Sequence, residues 1–251
     1  MQKISIVTIN YNNAAGLERT IQSVVCQTYR LVELIVIDGA STDESVSVME
    51  KYSNSIHYRV SEKDGGIFDA QNKGLQKATG DYVLVLNSGD ELQEPDTLAT
   101  LFHTAHTEAI VYGNMTIVHP DGKREAGKMP ANITVEHMMN DTLWHPVSFV
   151  RVEFLKKTGL YDTSYKIIAD YEWFLRAIFI HHATLKYVDL PVAVFYLGGL
   201  SSLPENVEKI RRERLVAQKA VFGEQAVAAF YEKKAREAPS LVRRLINRLK
   251  R

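Results

Sequence analysis

Three aspartates near the start of the chain each come at or soon after the end of an apolar run. Asp38 follows Glu33-Leu34-Ile35-Val36-Ile37, Asp64 comes shortly after the run from Ile56 to Val60, and Asp90 comes after Tyr82-Val83-Leu84-Val85-Leu86. Short, continuous apolar runs read as strands buried on both faces, as in parallel sheets. In such sheets ligands gather just outside the carboxyl ends of the strands. Carboxylates brought together there raise one another's pKa unless a cation or hydrogen-bond donors offset them. A metal would do so, and so would the donors of a ribose and a base. Taken singly, each aspartate is equally a helix cap. Three at matching strand ends fit a shared crevice better.

The elements that must position them can be read from spacing. Ile4 to Ile9 is β-rich, and Asn10-Tyr11-Asn12-Asn13 breaks the run. Leu17, Ile21, Val24, Val25 and Thr28 then recur at helical spacing, and Cys26 beside them reads as a small packing residue. Strands over 33–37, 56–60 and 82–87 alternate with helices over 45–52 and 65–78, which predicts a parallel sheet with helices on both faces. After Asp90 the rhythm loosens. The pattern predicts a helix over 95–105, a strand at 110–112, a hairpin around Pro120-Asp121-Gly122 and a strand from His145 to Val150. An apolar helix over 171–180 and two strands, 185–189 and 192–196, on either side of Pro191 complete this part. From Pro204 onward the chain is helical and charged, so a boundary near 203 separates a domain, 1–203, from a C-terminal helical appendage, 204–251.

Bulk properties narrow the function. Lys plus Arg and Asp plus Glu each number 30, so the net charge is zero and no overall field argues for nucleic acid. The single cysteine cannot form an internal disulfide, which is compatible with a reducing compartment. No window approaches the length of a membrane span, and the chain enters its first strand without a charged-then-apolar leader. The glycine fingerprints of dinucleotide and P-loop sites are absent, as are H-E-x-x-H and G-x-S-x-G.

A series of motifs carries a resemblance. It runs from Ser5-Ile6-Val7-Thr8-Ile9-Asn10-Tyr11-Asn12 through Ile37-Asp38-Gly39-Ala40-Ser41-Thr42-Asp43 and Asp64-Gly65-Gly66-Ile67-Phe68-Asp69-Ala70-Gln71-Asn72-Lys73-Gly74 to Gly80-Asp81-Tyr82 and Leu86-Asn87-Ser88-Gly89-Asp90. In order and spacing this resembles family 2 glycosyltransferases, well over the first hundred residues and more weakly to about residue 200. The resemblance implies a GT-A fold, Rossmann-like with a mostly parallel sheet. It also implies a nucleotide-diphosphate sugar donor and a divalent cation, manganese or magnesium. Asn10, Tyr11, Asp38, Asp64 and Asn72 would then be donor-binding residues, with Asp38 accepting a hydrogen bond from the base. Asp90 matches the last carboxylate of the family's D-x-D element and would bind the metal. Asn87 and Gly89 stand where that element often has aspartates.

Further along, Ile168-Ala169-Asp170-Tyr171-Glu172-Trp173 resembles the segment supplying the family's general base, which makes Asp170 the candidate catalytic residue. An acceptor hydroxyl must lose its proton as it attacks the anomeric carbon, and a positioned carboxylate can take it. One base with direct displacement gives inversion. Glu172, the nearby acid, would point elsewhere on a helix. His145, in Trp144-His145-Pro146, matches a histidine of related transferases and would complete the metal site or touch the diphosphate. Gly198-Gly199-Leu200-Ser201-Ser202 matches a loop that closes on the diphosphate, with Ser201 a donor contact. Near the C-terminus Leu241, Val242, Leu245, Ile246 and Leu249 interleave with Arg243, Arg244, Arg248, Lys250 and Arg251. That is a basic amphipathic helix suited to an anionic membrane surface.

The expected protein is therefore an inverting transferase acting on a glycan or lipid-linked acceptor in surface polysaccharide or lipopolysaccharide synthesis. Its expected location is cytoplasmic and peripheral on the inner face of the cell membrane. Two other readings compete: a non-catalytic nucleotide-sugar-binding module, and a nucleotidyltransferase. The latter would want a basic glycine-rich loop after the first strand, and 10–16 contains no Lys or Arg.

Overall fold

Strands with apolar residues at both odd and even positions need cover on both faces. The computed structural model of the chain describes residues 1–237 and provides that cover. β1 (Ile4–Asn10), β2 (Val32–Asp38), β3 (Tyr58–Ser61) and β4 (Tyr82–Val85) lie parallel in the order β3-β2-β1-β4. The sheet continues past β4 through β8 (Ser148–Arg151), β6 (Ile110–Val118), β9 (Leu185–Tyr196) and the two-residue β5 (Glu91–Leu92). β7 (Arg124–Gly127) is hairpinned onto β6. β5, β7 and β8 oppose their neighbours while β9 runs parallel to β6, so the sheet is mostly parallel.

Alternation along the strands divides the core in two. Ile4, Ile6, Leu34, Val36, Tyr82, Leu84 and Leu86 pack under α1 (Ala14–Val25), α2 (Ser45–Lys51) and α4 (Thr97–Leu101). Val7, Ile9, Ile35, Ile37, Val83 and Val85 pack under α3 (Ile67–Lys77), α6 (Val152–Thr158) and α7 (Ala169–Leu175). The short α5 (Val135–Asn140) adds Met138 to the second layer. Each fully buried Ile, Leu or Val contributes roughly 1.5–3 kcal/mol relative to exposure. By the same alternation Asn10 and Asp38 end the rows facing α1 and α2, whereas Asn87 continues the row facing α3 and α7.

Several elements differ from the expected ones. β9 runs unbroken through Pro191. The pairing with β6 is irregular opposite Asn114, with the extra residues on β9 around Pro191, whose missing N–H is tolerated at a bulge. The helix expected over 171–180 is α-helical only to Leu175, followed by a π turn, Arg176–Ile180. The strand expected from His145 starts instead with a 3₁₀ turn, His145–Val147, that has Pro146 in its first turn. Cys26 is exposed at the end of α1, past the inward row of Leu17, Thr20, Ile21 and Val24.

The helices after 203 pack against the rest of the chain. α8 (Val207–Phe222) buries Ala217 and Gln218 completely, and Gln218 Nε2 donates to Tyr171 Oη at 2.8 Å. Tyr231 of α9 (Glu224–Glu237) in turn donates to Gln218 Oε1 at 2.9 Å. No helix among the described residues is long and apolar enough to cross a membrane. The basic amphipathic segment with its leucines from 241 onward lies outside the described residues.

Candidate active site

The turn after β4 is shaped by α1. Ser88 N donates to Ile9 O at 3.0 Å, extending the β1–β4 pairing, and the chain then reverses at Gly89, whose φ of +110° favours glycine. Thr20 Oγ1 accepts from Gly89 N at 2.9 Å and donates to Asp90 O at 2.6 Å. Arg19 grips Gly89 O through Nε at 3.2 Å and Nη2 at 2.9 Å. The turn thus delivers Asp90 to a defined place at the sheet's edge.

Asp90 is only 6% exposed. Its Oδ1 accepts from Tyr196 N at 3.2 Å, and among the described residues no donor bonds to Oδ2. Burial pushes its pKa up to about 6, against the opposing pull of His145, the Tyr196 amide and Arg19.

Asp90 lines a cleft of about 690 Å³, and Asp170 is the other carboxylate in its lining among the described residues. Asp170, at the second position of α7, has Oδ2 3.1 Å from His145 Nδ1. His145 Nε2 lies 3.2 Å from Asn87 Nδ2, and Asn87 Oδ1 accepts from Gln71 Nε2 at 3.0 Å. His145 thus bridges Asp170 and Asn87 through its two ring nitrogens. His145, expected at a metal site or against the diphosphate, here has both ring nitrogens within hydrogen-bond distance of other side chains, one of them Asp170. Glu172 is paired with Arg176 at 3.0 Å and does not line the cleft.

The carboxyl ends of β1 and β2 are different in kind. Asn10, Asp38 and Ser61 are level across three strands. Asp38 is fully buried and accepts four hydrogen bonds: from Asn10 Nδ2 at 2.8 Å, Ser41 Oγ at 2.5 Å, Ser41 N at 2.9 Å and Ser61 Oγ at 2.6 Å. Burial alone would raise its pKa, but these donors outweigh it and hold the carboxyl below its ordinary value. Asn10 is also buried and donates to Ser45 Oγ at 2.9 Å. Both residues were expected to meet the donor; here they shape the loop from inside.

Asn72 is engaged within the chain: its amide donates to Tyr161 O at 2.8 Å and accepts from Tyr161 N at 3.0 Å, which pins the loop after α6. Gln71, one residue earlier, is the member of that motif that lines the cleft. Tyr11 is 67% exposed. It and Asp64 flank Gly39, where an added Cβ would lie 2.6 Å from Asp64 Oδ2 and 3.3 Å from Tyr11 Cδ2. A side chain there would displace the Asp64 carboxylate, so the three lie close together as a ledge. Ser201 lies in the cleft wall beside Gly198 and Gly199.

The residues present can be weighed against a divalent cation. Among the described residues no three His, Cys, Asp or Glu side chains are grouped to hold one. One buried carboxylate with an oxygen free of protein donors is nevertheless suited to a hard cation that takes most of its ligands from phosphates and water. Asp90 fits that description.

Arg19, Trp144, Ile210 and Arg214 also line the cleft but were not expected there. Arg19 sits in the amphipathic pattern of α1 as an ordinary surface position, and Ile210 and Arg214 lie beyond the predicted boundary. No local signal marks them.

The model of the family described as glycosyl transferase family 2 matches residues 5–177. An uncharacterized glycosyltransferase of Mycobacterium tuberculosis is 34% identical over 183 residues, covering 70% of this chain and 69% of that protein. A PGL/p-HBAD biosynthesis glycosyltransferase of Mycobacterium bovis is 29% identical over 215 residues, covering 83% and 82%. The mannosyltransferase PcManGT of Pyrobaculum calidifontis, solved in complex with GDP-Man and Mn2+, superposes with a TM-score of 0.63 at 16% identity, covering 98% of this chain and 79% of that one. That likeness bears on the fold, which is GT-A.

Proposed function

The chain belongs to glycosyl transferase family 2, and from that premise we propose that it moves a sugar from a nucleotide-diphosphate donor to an acceptor hydroxyl with inversion at the anomeric carbon. The observation that carries this reading is Asp170, held by His145 Nδ1 at 3.1 Å in the wall of the cleft that Asp90 also lines. Asp170 takes the proton from the acceptor hydroxyl as the acceptor oxygen bonds to the anomeric carbon and the bond to the diphosphate breaks. His145 keeps the carboxylate oriented, and Asn87 holds the ring from its other side. The family assignment sets aside nucleotidyl transfer.

Tyr11, Gly39 and Asp64 would take the base and ribose on their ledge, with Tyr11 as the stacking surface. Asp38 and Asn10 support that ledge from beneath. Ser201 and the Gly198-Gly199 backbone would close on the diphosphate. A cation, when bound, would neutralise charge on the departing diphosphate, and Asp90 would hold it. The complex of PcManGT with GDP-Man and Mn2+ supports both donor class and metal.

The acceptor would be a glycan or lipid-linked molecule in surface glycan synthesis. Trp144, Ile167, Ile168 and Ile210 give the cleft an apolar wall, and the Mycobacterium bovis relative is named for PGL/p-HBAD biosynthesis. The basic sequence from 240 onward would place the enzyme on the cytoplasmic face of an anionic membrane. Deleting 240–251 should lower binding to anionic vesicles; unchanged binding would refute this placement.

The test of the whole reading is a screen of UDP- and GDP-sugars for thermal stabilisation with and without manganese, followed by NMR of the product's anomeric proton. A retained configuration would overturn the mechanism.

A further inference from the structure

α8 reaches back to the segment that leads into α7. Glu213 Oε1 accepts from Lys166 N at 3.0 Å, and Oε2 accepts from Ile167 N at 3.0 Å and Ile168 N at 3.3 Å. Three consecutive backbone donors thus converge on one carboxylate. Nothing nearer in the chain replaces it: Ile168 precedes α7, and no side chain caps that helix. The Ile167 and Ile168 side chains are 7% and 6% exposed. Apolar packing therefore holds this segment from within, and Glu213 holds its backbone. Asp170 follows two residues later.

The neighbouring residue strengthens the attachment. The Arg214 guanidinium stacks over the Tyr171 ring at 4.0 Å and donates to Asp141 O at 2.8 Å. Glu213 also lies beyond residues 5–177, the span matched by the family model.

We propose that Glu213 is a positioning residue for Asp170: it pins the backbone of 166–168 so that the carboxylate meets the acceptor hydroxyl. This rests on the reading of Asp170 as the base. A carboxylate is suited to the task because its two oxygens share the three donors, whereas glutamine keeps one acceptor oxygen. A misplacement of about 1 Å can slow a reaction by roughly 100-fold.

The test compares wild type, Glu213→Gln and Glu213→Ala in the full chain. Amide hydrogen exchange is read over 164–172, and nucleotide release from UDP-GlcNAc and GDP-mannose provides kcat and KM. Glu213→Ala should speed exchange at 166–168 while β1 and β2 stay protected. It should lower kcat about tenfold or more and leave KM for the nucleotide sugar within about twofold. Glu213→Gln should fall between alanine and wild type. Unchanged exchange at 166–168, an unchanged kcat, or a loss of protection spread over the whole sheet would overturn the proposal. A wild type that releases nucleotide from neither sugar counts instead against the functional reading, and the exchange arm then still decides whether Glu213 holds the backbone.

Discussion

Asp38 closes β2 and Asp90 ends the turn after β4, at the same edge of the sheet on either side of β1, yet the protein treats them in opposite ways. Asp38 is surrounded by donors, with both oxygens doubly engaged. Asp90 is equally deep but receives one long bond from a backbone amide. Burial penalises both charges. At Asp38 the surroundings offset that penalty, and at Asp90 they leave it standing. A satisfied carboxylate is part of the scaffold; an unsatisfied one facing a cleft is a place for something to bind. The same residue type after the same kind of strand thus divides into two roles according to the hydroxyls and amides brought level with it.

The sharpest probe lies on the cleft side. Asp170→Asn should lower transfer by about 10²–10⁴ while donor-induced thermal stabilisation persists, because the donor ledge is built elsewhere. Near-wild-type transfer would remove Asp170 from its assigned place.

The two strand-end aspartates should then separate in sign. Asp38→Asn places an N–H against donors and should destabilise by about 1–3 kcal/mol, read by urea melts. Asp90→Asn should stabilise at pH 8 by on the order of 2 kcal/mol and abolish stabilisation by manganese. If both substitutions destabilise alike, the contrast between them is wrong.

The pH dependence follows the same division. Asp90, raised from 3.8 to about 6, makes the folded state bind more protons between those values, so its contribution to stability falls as pH rises through that window. Asp38, held below its ordinary value, contributes stability that is present above about pH 4 and is lost as pH falls below it. Substituting each aspartate in turn should flatten opposite limbs of the stability–pH curve. The smallest effect should come from Tyr11→Ala, which should weaken nucleotide binding by about 1 kcal/mol, or close to fivefold, and leave stability unchanged because the ring is exposed.

Much of this was legible in the residues alone. The alternation of apolar runs with helical spacing placed β1 to β4 and α1 to α3 within a few residues, because each element carries its own periodicity. Asp90 was visible because polar residues end an apolar run there, and Asp170 because its segment resembles the one that supplies the family's base. What could not be read was how pairs of elements meet. The saturation of Asp38 depends on Ser61, which only strand register brings alongside. The use of Asn72 depends on Tyr161, far along the chain, and the fastening of α7 depends on Glu213 in a helix that looked like an appendage. Asn87 read as a defect in a metal-binding motif. Only the proximity of His145 shows that its amide has a use of its own.

The alignment of Asn10, Asp38 and Ser61 has a consequence for how the sheet assembles. Shifting any of these strands by one step would turn its side chain to the opposite layer, stranding a polar group among Val7, Ile35 and their neighbours and costing Asp38 the bond from Asn10, from Ser61 or from both. The shell around Asp38 thus favours one frame for the three strands: only in that frame are all four of its donors in reach.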